Sequence, residues 1–370
     1  MSLLDDLAGA GPAMRPRAVI LRLGAIAALV AGTAGAFAYA GGWFSPHDLT
    51  PARIVDRFER VNGPHPGFRR NHAKGLCLAG RFESSGRGER LSKASLFAPG
   101  QITPVTGRIA LAGGRPYAAD AATTVRSLAL RFHLPDGEEW RTGNNDIPVF
   151  PVRTPEAFYA QLLAAKPDPA TGKPDPEALA AFFAANPDSV KAAALIKART
   201  LTAGFADDTF RGLNAFRFVA RDGRQTPVRW AFVPEHAATA ESPAQGGRAD
   251  ENFLFDGFAS AVRRAPVRWH LVVTLGEPGD PTADATRAWP SERPSLDAGT
   301  VIVSETEAEA DGNCRDVNFD PLVLPAGIEG GDDPLLGARS AAYAQSFTRR
   351  AGEPKSPSAV HDAPVAGAGL

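Results

Sequence analysis

Cysteine and methionine are almost missing from this 370-residue chain, with two of each. Cys77 and Cys314 stand far apart and no C-x-x-C occurs, which excludes a thiolate zinc or iron–sulfur site. The pair is compatible with one long-range disulfide in an oxidising compartment and equally with two buried thiols. The histidines (His47, His65, His72, His133, His236, His270 and His361) form no H-x-H or H-x-x-x-H pair, so a multi-histidine metal site lacks its ligands. Tyrosine is scarce, four against 21 Phe, and beyond the N-terminal segment only Tyr117, Tyr159 and Tyr343 remain. The formal net charge is -1 and no Lys/Arg run is interleaved with aromatics, so nothing marks a nucleic-acid binder. Gly172-Lys173 lacks the upstream glycine of a phosphate loop and is followed by Pro174.

What is present begins with a hydrophobic run, AVILRLGAIAALVAGTAGAFAYAGGWF (18–44), broken only by Arg22. From Leu23 to Phe44 it is uncharged and long enough to cross a bilayer. Arg15 and Arg17 precede it, which keeps that end in the cytoplasm. A-x-A sites at Ala36–Ala38 and Ala38–Ala40 leave a cleaved signal peptide and a retained anchor both open. Either one delivers the rest of the chain to a periplasmic or other extracytoplasmic space. The expected division is therefore 1–44 as anchor or signal, 45–351 as the folded domain, and 352–370 as a disordered tail without apolar periodicity.

After Ser45-Pro46, DLTPARIVDRFERVNG reads as an amphipathic helix with Ile54, Val55, Phe58 and Val61 at helical spacing. Strand-like runs follow: AKGLCLAGRFE, KASLFA, TGRIALAGG, TVRSLALRFHL and IPVFPV, separated by Gly- and Pro-rich turns. They predict an antiparallel meander, hence a barrel or strongly curved sheet. Three helices are expected over 154–197, strands at 214–220 and 226–233, a helix near 250–263, and strands at 267–275 and 300–309. A last helix starts at Asp333-Pro334, an N-cap followed by proline at the first helical position, and runs to about Arg350.

On that helix Leu336, Arg339, Tyr343, Phe347 and Arg350 share one face. Two arginines on an apolar stripe need anionic partners if buried. A tyrosinate bound to ferric haem accounts for the set, because an arginine one turn away favours the phenolate, and Arg350, about 10 Å further along the axis, suits a propionate. Taken alone, R-x-x-x-Y reads more simply as a surface helix with solvated arginines and a packed tyrosine.

Longer stretches bear on that choice. RRNHAKG (69–75) is similar to the distal-histidine segment of haem catalases, and DDPLLGARSAAYAQSFTRR (332–350) to their proximal helix. Between them TPVTGRIALAGG, DAATTVRSLALRFHLPDG, NNDIPVF, TPEAFYAQLLA, RWHLVVTL, AWP and NFDPLVLPAGIEG follow in the family's order. Over about 45–350 the chain resembles the catalase-related peroxidases, the minimal branch of that superfamily. The implied fold is α+β: an antiparallel β-barrel with surrounding helices, lacking the C-terminal helical and flavodoxin-like domains. The NADPH site of some larger catalases is not carried over.

The resemblance implies a haem b cofactor with Tyr343 as its iron ligand and Arg339 as the partner of that tyrosine. It implies His72 as distal acid–base, Asn145 (or neighbouring Asn144) as distal asparagine, Phe158 stacking near the haem, and Arg69, Arg108 and Arg350 on the propionates. The implied reaction is reduction of hydrogen peroxide by way of a ferryl intermediate, with a small organic electron donor. True catalase turnover, or a membrane-tethered haem binder or peroxide sensor, are the alternatives. A monomer or homodimer is expected, with no nucleic-acid partner. Three departures stand out: Asn71 where the family has Val, Ala110 where a serine supports the histidine, and Thr124 where large catalases carry a channel carboxylate. The last two favour a peroxidase over an efficient catalase.

Overall fold

A computed structural model describes residues 16–40, 48–236 and 251–361. It contains two units, one ending at Thr50 and one beginning at Pro51. Among its described residues the first holds one helix, α1 (Pro16–Ala40), whose span Val19–Tyr39 is long and apolar enough to cross a membrane. The end of the expected run, to Phe44, lies outside the described residues.

Among its described residues the second unit is built on ten antiparallel strands. They are β1 (Gly75–Ser84), β2 (Ile102–Leu111), β3 (Arg126–His133), β4 (Glu139–Asn145), β5 (Phe210–Arg211), β6 (Phe216–Val219), β7 (Gln225–Pro234), β8 (Val267–Leu275), β9 (Ser295–Ala308) and β10 (Ile328–Gly330). Their order is β10-β6-β7-β5-β4-β3-β2-β1-β9-β8, and β7 also pairs with β8. Eight strands thereby close into a barrel, with β6 and β10 carried on the flank of β7. The helices are α2 (Pro51–Asn62), α3 (Pro155–Ala164), α4 (Pro176–Ala185), α5 (Pro187–Lys197), α6 (Phe253–Arg264) and α7 (Pro334–Ala351).

Alternation along the strands explains the barrel wall. One pleat face carries Leu76, Ile109, Leu128 and Leu130, all buried in a core completed by Phe132, Trp140 and Trp230. Phe132 stacks on Trp140 at 4.8 Å, and Trp140 meets Trp230 edge-on at 5.1 Å. The other face carries two cross-strand rows. Cys77, Arg108, Ala129 and Gly143 are register partners in turn, as are Gly75, Ala110, Ser127 and Asn145. A slip of one residue would exchange core and site residues, so the apolar face fixes the site's register.

Some expected elements differ. KASLFA forms a single 3-10 turn (Ser95–Phe97), and IPVFPV is irregular; the fourth wall strand is the preceding EWRTGNN segment. Its polar interior positions are satisfied: Asn144 Nδ2 donates to the Leu128 carbonyl at 2.9 Å, and Asn144 Oδ1 accepts from Trp230 Nε1 at 3.1 Å. Cys77 and Cys314 form a disulfide with Cα atoms 5.3 Å apart, tying β1 to the segment before β10. Residues 352–361, expected as part of a disordered tail, pack instead as an extended ribbon. Glu353 pairs with Arg70, Lys355 with Asp316, and Val360 is 1% exposed. Side-chain anchors hold it without periodicity, which is why the pattern did not show it. The rest of the tail lies outside the described residues.

Candidate active site

One cavity of about 280 Å³ lies between the site face of β2–β4 and helices α2, α3 and α7. His72, Asn145, Arg69, Arg108, Phe158, Arg339, Tyr343 and Arg350 all line it.

His72 precedes β1 in a left-handed conformation, φ 54°, a backbone state that a side chain adopts only when its surroundings hold it there. Both neighbours are tied to Gly113: Asn71 Oδ1 accepts from its N–H and the Ala73 N–H donates to its carbonyl, each at 2.9 Å. Ser127 Oγ lies 3.1 Å from His72 Nδ1 and 3.3 Å from the Ala110 carbonyl. The hydroxyl has one proton to give and the carbonyl can only accept. With that proton on Ala110, Ser127 accepts from Nδ1–H, and the unprotonated nitrogen is Nε2. Burial, then Arg108, Arg339 and Arg69, lower the imidazole pKa to about 3, so the ring is neutral at ordinary pH.

From a different wall, α7 supplies Tyr343 and Arg339. Asp333 caps this helix by accepting from the Leu335 N–H at 2.9 Å, with Pro334 following it. Asp333 also accepts from Asn214 Nδ2 at 2.9 Å, and Asn214 Oδ1 accepts from Arg339 Nη1. Arg339 Nη2 in turn reaches the Gly143 carbonyl at 3.3 Å and Tyr343 Oη at 3.5 Å. The phenol oxygen therefore sits at the end of an oriented chain that starts at the helix cap. Gly143 lies directly against this pair: a β-carbon there would stand 3.4 Å from the guanidinium and 4.0 Å from the phenol oxygen, ordinary contact distances.

Three guanidiniums gather at one end of the cavity. Arg108 and Arg350 are buried and Arg69 nearly so. Gly75 makes room for Arg108, since a β-carbon would lie 2.3 Å from its guanidinium carbon. Glu309 is the carboxylate bonded to two of them, while Asp316 attracts Arg350 from further off and Arg315 opposes it. Glu309 accepts from Arg108 Nε at 3.0 Å and Nη2 at 2.9 Å, and from Arg69 Nη1. Arg69 Nη2 donates to the Cys314 and Val317 carbonyls at 3.0 and 2.9 Å, so the disulfide-anchored segment positions it. Arg350 Nε is buried with no hydrogen-bond partner among the described residues. Burial opposes the charge on Glu309, but Arg108 and Arg69 outweigh it and hold the carboxyl below its usual range. Three cations less one anion, with Asp316 and Arg315 offsetting each other beside Arg350, leave two positive charges, an arrangement that favours entry of an anion.

Residues 45–360 match the family model described as catalase. The chain belongs to the catalase family. A catalase-related peroxidase from Synechococcus elongatus (strain ATCC 33912 / PCC 7942 / FACHB-805) is 38% identical, covering 83% of this chain and 90% of that one. One from Mycolicibacterium paratuberculosis (strain ATCC BAA-968 / K-10) is 32% identical, covering 82% and 96%. Among solved structures, catalase A from Saccharomyces cerevisiae superposes with a TM-score of 0.69 at 18% identity, covering 81% of this chain and 64% of that one. The fold is thus the catalase barrel with its surrounding helices in compact form.

Two departures from this catalase-family pattern now have a physical reading. Asn71 anchors Gly113 and so braces the strained histidine. Ala110 does not leave His72 unsupported, because Ser127, its register partner on β3, supplies the hydroxyl. The expectation drawn from Ala110 is corrected accordingly. Of the two candidate asparagines, Asn144 is fully buried and committed to Leu128 and Trp230. Asn145, in the row of Ser127, has no side-chain hydrogen bond among the described residues and lines the cavity. Ser127 and Glu309 were not singled out from the sequence; only the register and a contact spanning 201 residues bring them to the site.

Proposed function

We propose that this chain is a haem peroxidase that reduces hydrogen peroxide with electrons from a small organic donor outside the cytoplasm. What carries the reading is one cavity holding a braced neutral imidazole, an arginine-directed phenol and an undercompensated arginine cluster. The group fits. The orphaned Arg350 Nε and the surplus of two charges suit the two propionates of haem b, and Phe150 and Phe158, 5.9 Å apart, supply apolar wall. Arg69, Arg108 and Arg350 would hold the propionates, Phe158 would pack near the ring, and Tyr343 would ligate the iron. Bound haem would supply the iron to which peroxide coordinates and which stores the two oxidising equivalents released by O–O cleavage.

The protein's own residues do the rest. Nε2 of His72 would accept a proton from one peroxide oxygen and return it to the other, so that water leaves. Ser127 keeps the imidazole in the tautomer this requires. Asn145, which lines the same cavity, would hydrogen-bond the peroxide as a preorganised dipole. Two electrons and two protons from the donor then convert the remaining oxygen to a second water. The peroxidase reading rests on the two catalase-related relatives, which this chain nearly spans, and on Thr124 in place of a channel carboxylate. The apolar span Val19–Tyr39 behind Arg15 and Arg17, together with the Cys77–Cys314 bond, favours an exported or membrane-anchored protein.

Ser127→Ala should slow peroxide consumption by roughly 10-fold, the lower end for an outer-shell partner, without loss of fold. Moving the hydroxyl back, Ser127→Ala with Ala110→Ser, should restore most of the rate in stopped-flow traces. For the reading as a whole, an oxygen electrode with hydrogen peroxide, with and without a phenolic donor, decides. Donor oxidation with little oxygen release is expected. Rapid oxygen release that the donor leaves unchanged would make the chain a true catalase.

A further inference from the structure

Glu309 has no part in the mechanism above, yet it occupies the arginine cluster. Just beyond the end of β9, it spans Arg108 with both oxygens and reaches Arg69, while among the described residues Arg350 donates to the Arg315 carbonyl and its Nε has no partner. Two of the three guanidiniums proposed for the propionates are therefore already taken by a carboxylate of the chain itself. Such a group has the same acceptor geometry as a propionate and lies against the same donors.

We infer that Glu309 is a built-in stand-in for a cofactor carboxylate, which holds Arg69 and Arg108 in place while the cavity is empty and competes with a propionate for them when haem binds. The inference rests on the haem reading. Its electrostatics have a definite sign. With Glu309 the empty cluster carries two positive charges and a diacid brings it to zero. Without that carboxylate the empty cluster carries three, so the empty protein is less stable while its attraction for a dianion is greater. A residue that merely supports the fold would lower both stability and affinity on removal.

The test is Glu309→Gln, which keeps the shape and removes the charge, in the full chain prepared without cofactor. Thermal unfolding of the empty protein and Soret titrations with hemin and with hemin dimethyl ester are compared with wild type. A lower Tm for the empty variant, hemin binding tightened by about 10-fold, equivalent to 1.4 kcal/mol, and unchanged affinity for the ester are expected. Equal or weaker hemin binding by the variant would overturn the inference. Should Glu309→Gln not accumulate folded, Glu309→Asp loosens the same grip: a few-fold tighter hemin binding supports the stand-in role, and unchanged or weaker binding overturns it. A wild-type chain that leaves hemin unbound removes the haem reading itself, and this inference with it, a result separable from the variant's.

Discussion

Replacing Tyr343 with Phe is expected to leave a folded protein that no longer retains haem. The ring remains and only the hydroxyl goes. Its hydrogen bond to Arg339 is long, at 3.5 Å, and Arg339 keeps Asn214 and the Gly143 carbonyl. Stability of the empty protein should therefore change by no more than about 1 kcal/mol. The missing atom, however, is the proposed iron ligand. Altering an outer partner of a metal ligand costs roughly 10–100-fold in affinity, which is the range expected for Arg339→Ala. Loss of the ligand atom itself should exceed that. Anaerobic hemin titration followed at the Soret band, with circular dichroism on the same samples, separates the outcomes. A Tyr343→Phe protein that loads hemin like wild type and still consumes peroxide would mean that the iron is held from elsewhere.

The two halves of this site were unequally legible in the sequence. Helix spacing puts Tyr343 and Arg339 on one face, and Asp333-Pro334 marks the start, but only the longer resemblance lifts the pair above a surface helix with solvated arginines. His72 was legible only through its neighbours, since a lone histidine before a strand carries no signal of its own. Strand β4 was misplaced onto IPVFPV because EWRTGNN offers one apolar residue at its interior positions. Thr142 and Asn144 are tolerated inside because Trp230, 86 residues from Asn144, donates to both, Thr142 donates to Asn144, and Asn144 donates to the Leu128 carbonyl. Ser127 is instructive in the same way. Read along the chain, Ala110 signals a missing support, whereas read across the sheet, the hydroxyl has moved to the adjacent strand of the same row. Glu309 obeys no local pattern at all. Pairing register and long-range charge matching decide these positions, and neither has a period.

His72→Ala should give the second large effect, and of the opposite kind: haem retained, turnover lost. The arginines, Tyr343 and the apolar walls are untouched, so hemin affinity should stay within a few-fold of wild type. A positioned acid–base group contributes about 10²–10⁴-fold, and the peroxide step in stopped-flow should slow by that factor. The pH profile sharpens the assignment. A free imidazole would lose its base function below about pH 6.5. In the folded protein burial, reinforced by Arg108, Arg339 and Arg69, lowers that value to about 3, so the peroxide step should stay flat from neutrality well into the acid range. Stability carries the same signature with a fixed sign. Between the folded value near 3 and the unfolded value near 6.5, only the unfolded chain takes up the proton. Stability from this group is therefore complete above the unfolded value and declines as pH falls through the window. His72→Ala removes that dependence, so its Tm should fall less than that of wild type on acidification. A wild-type rate that halves near the ordinary imidazole pKa would show a solvated ring at position 72, and with it a different proton carrier.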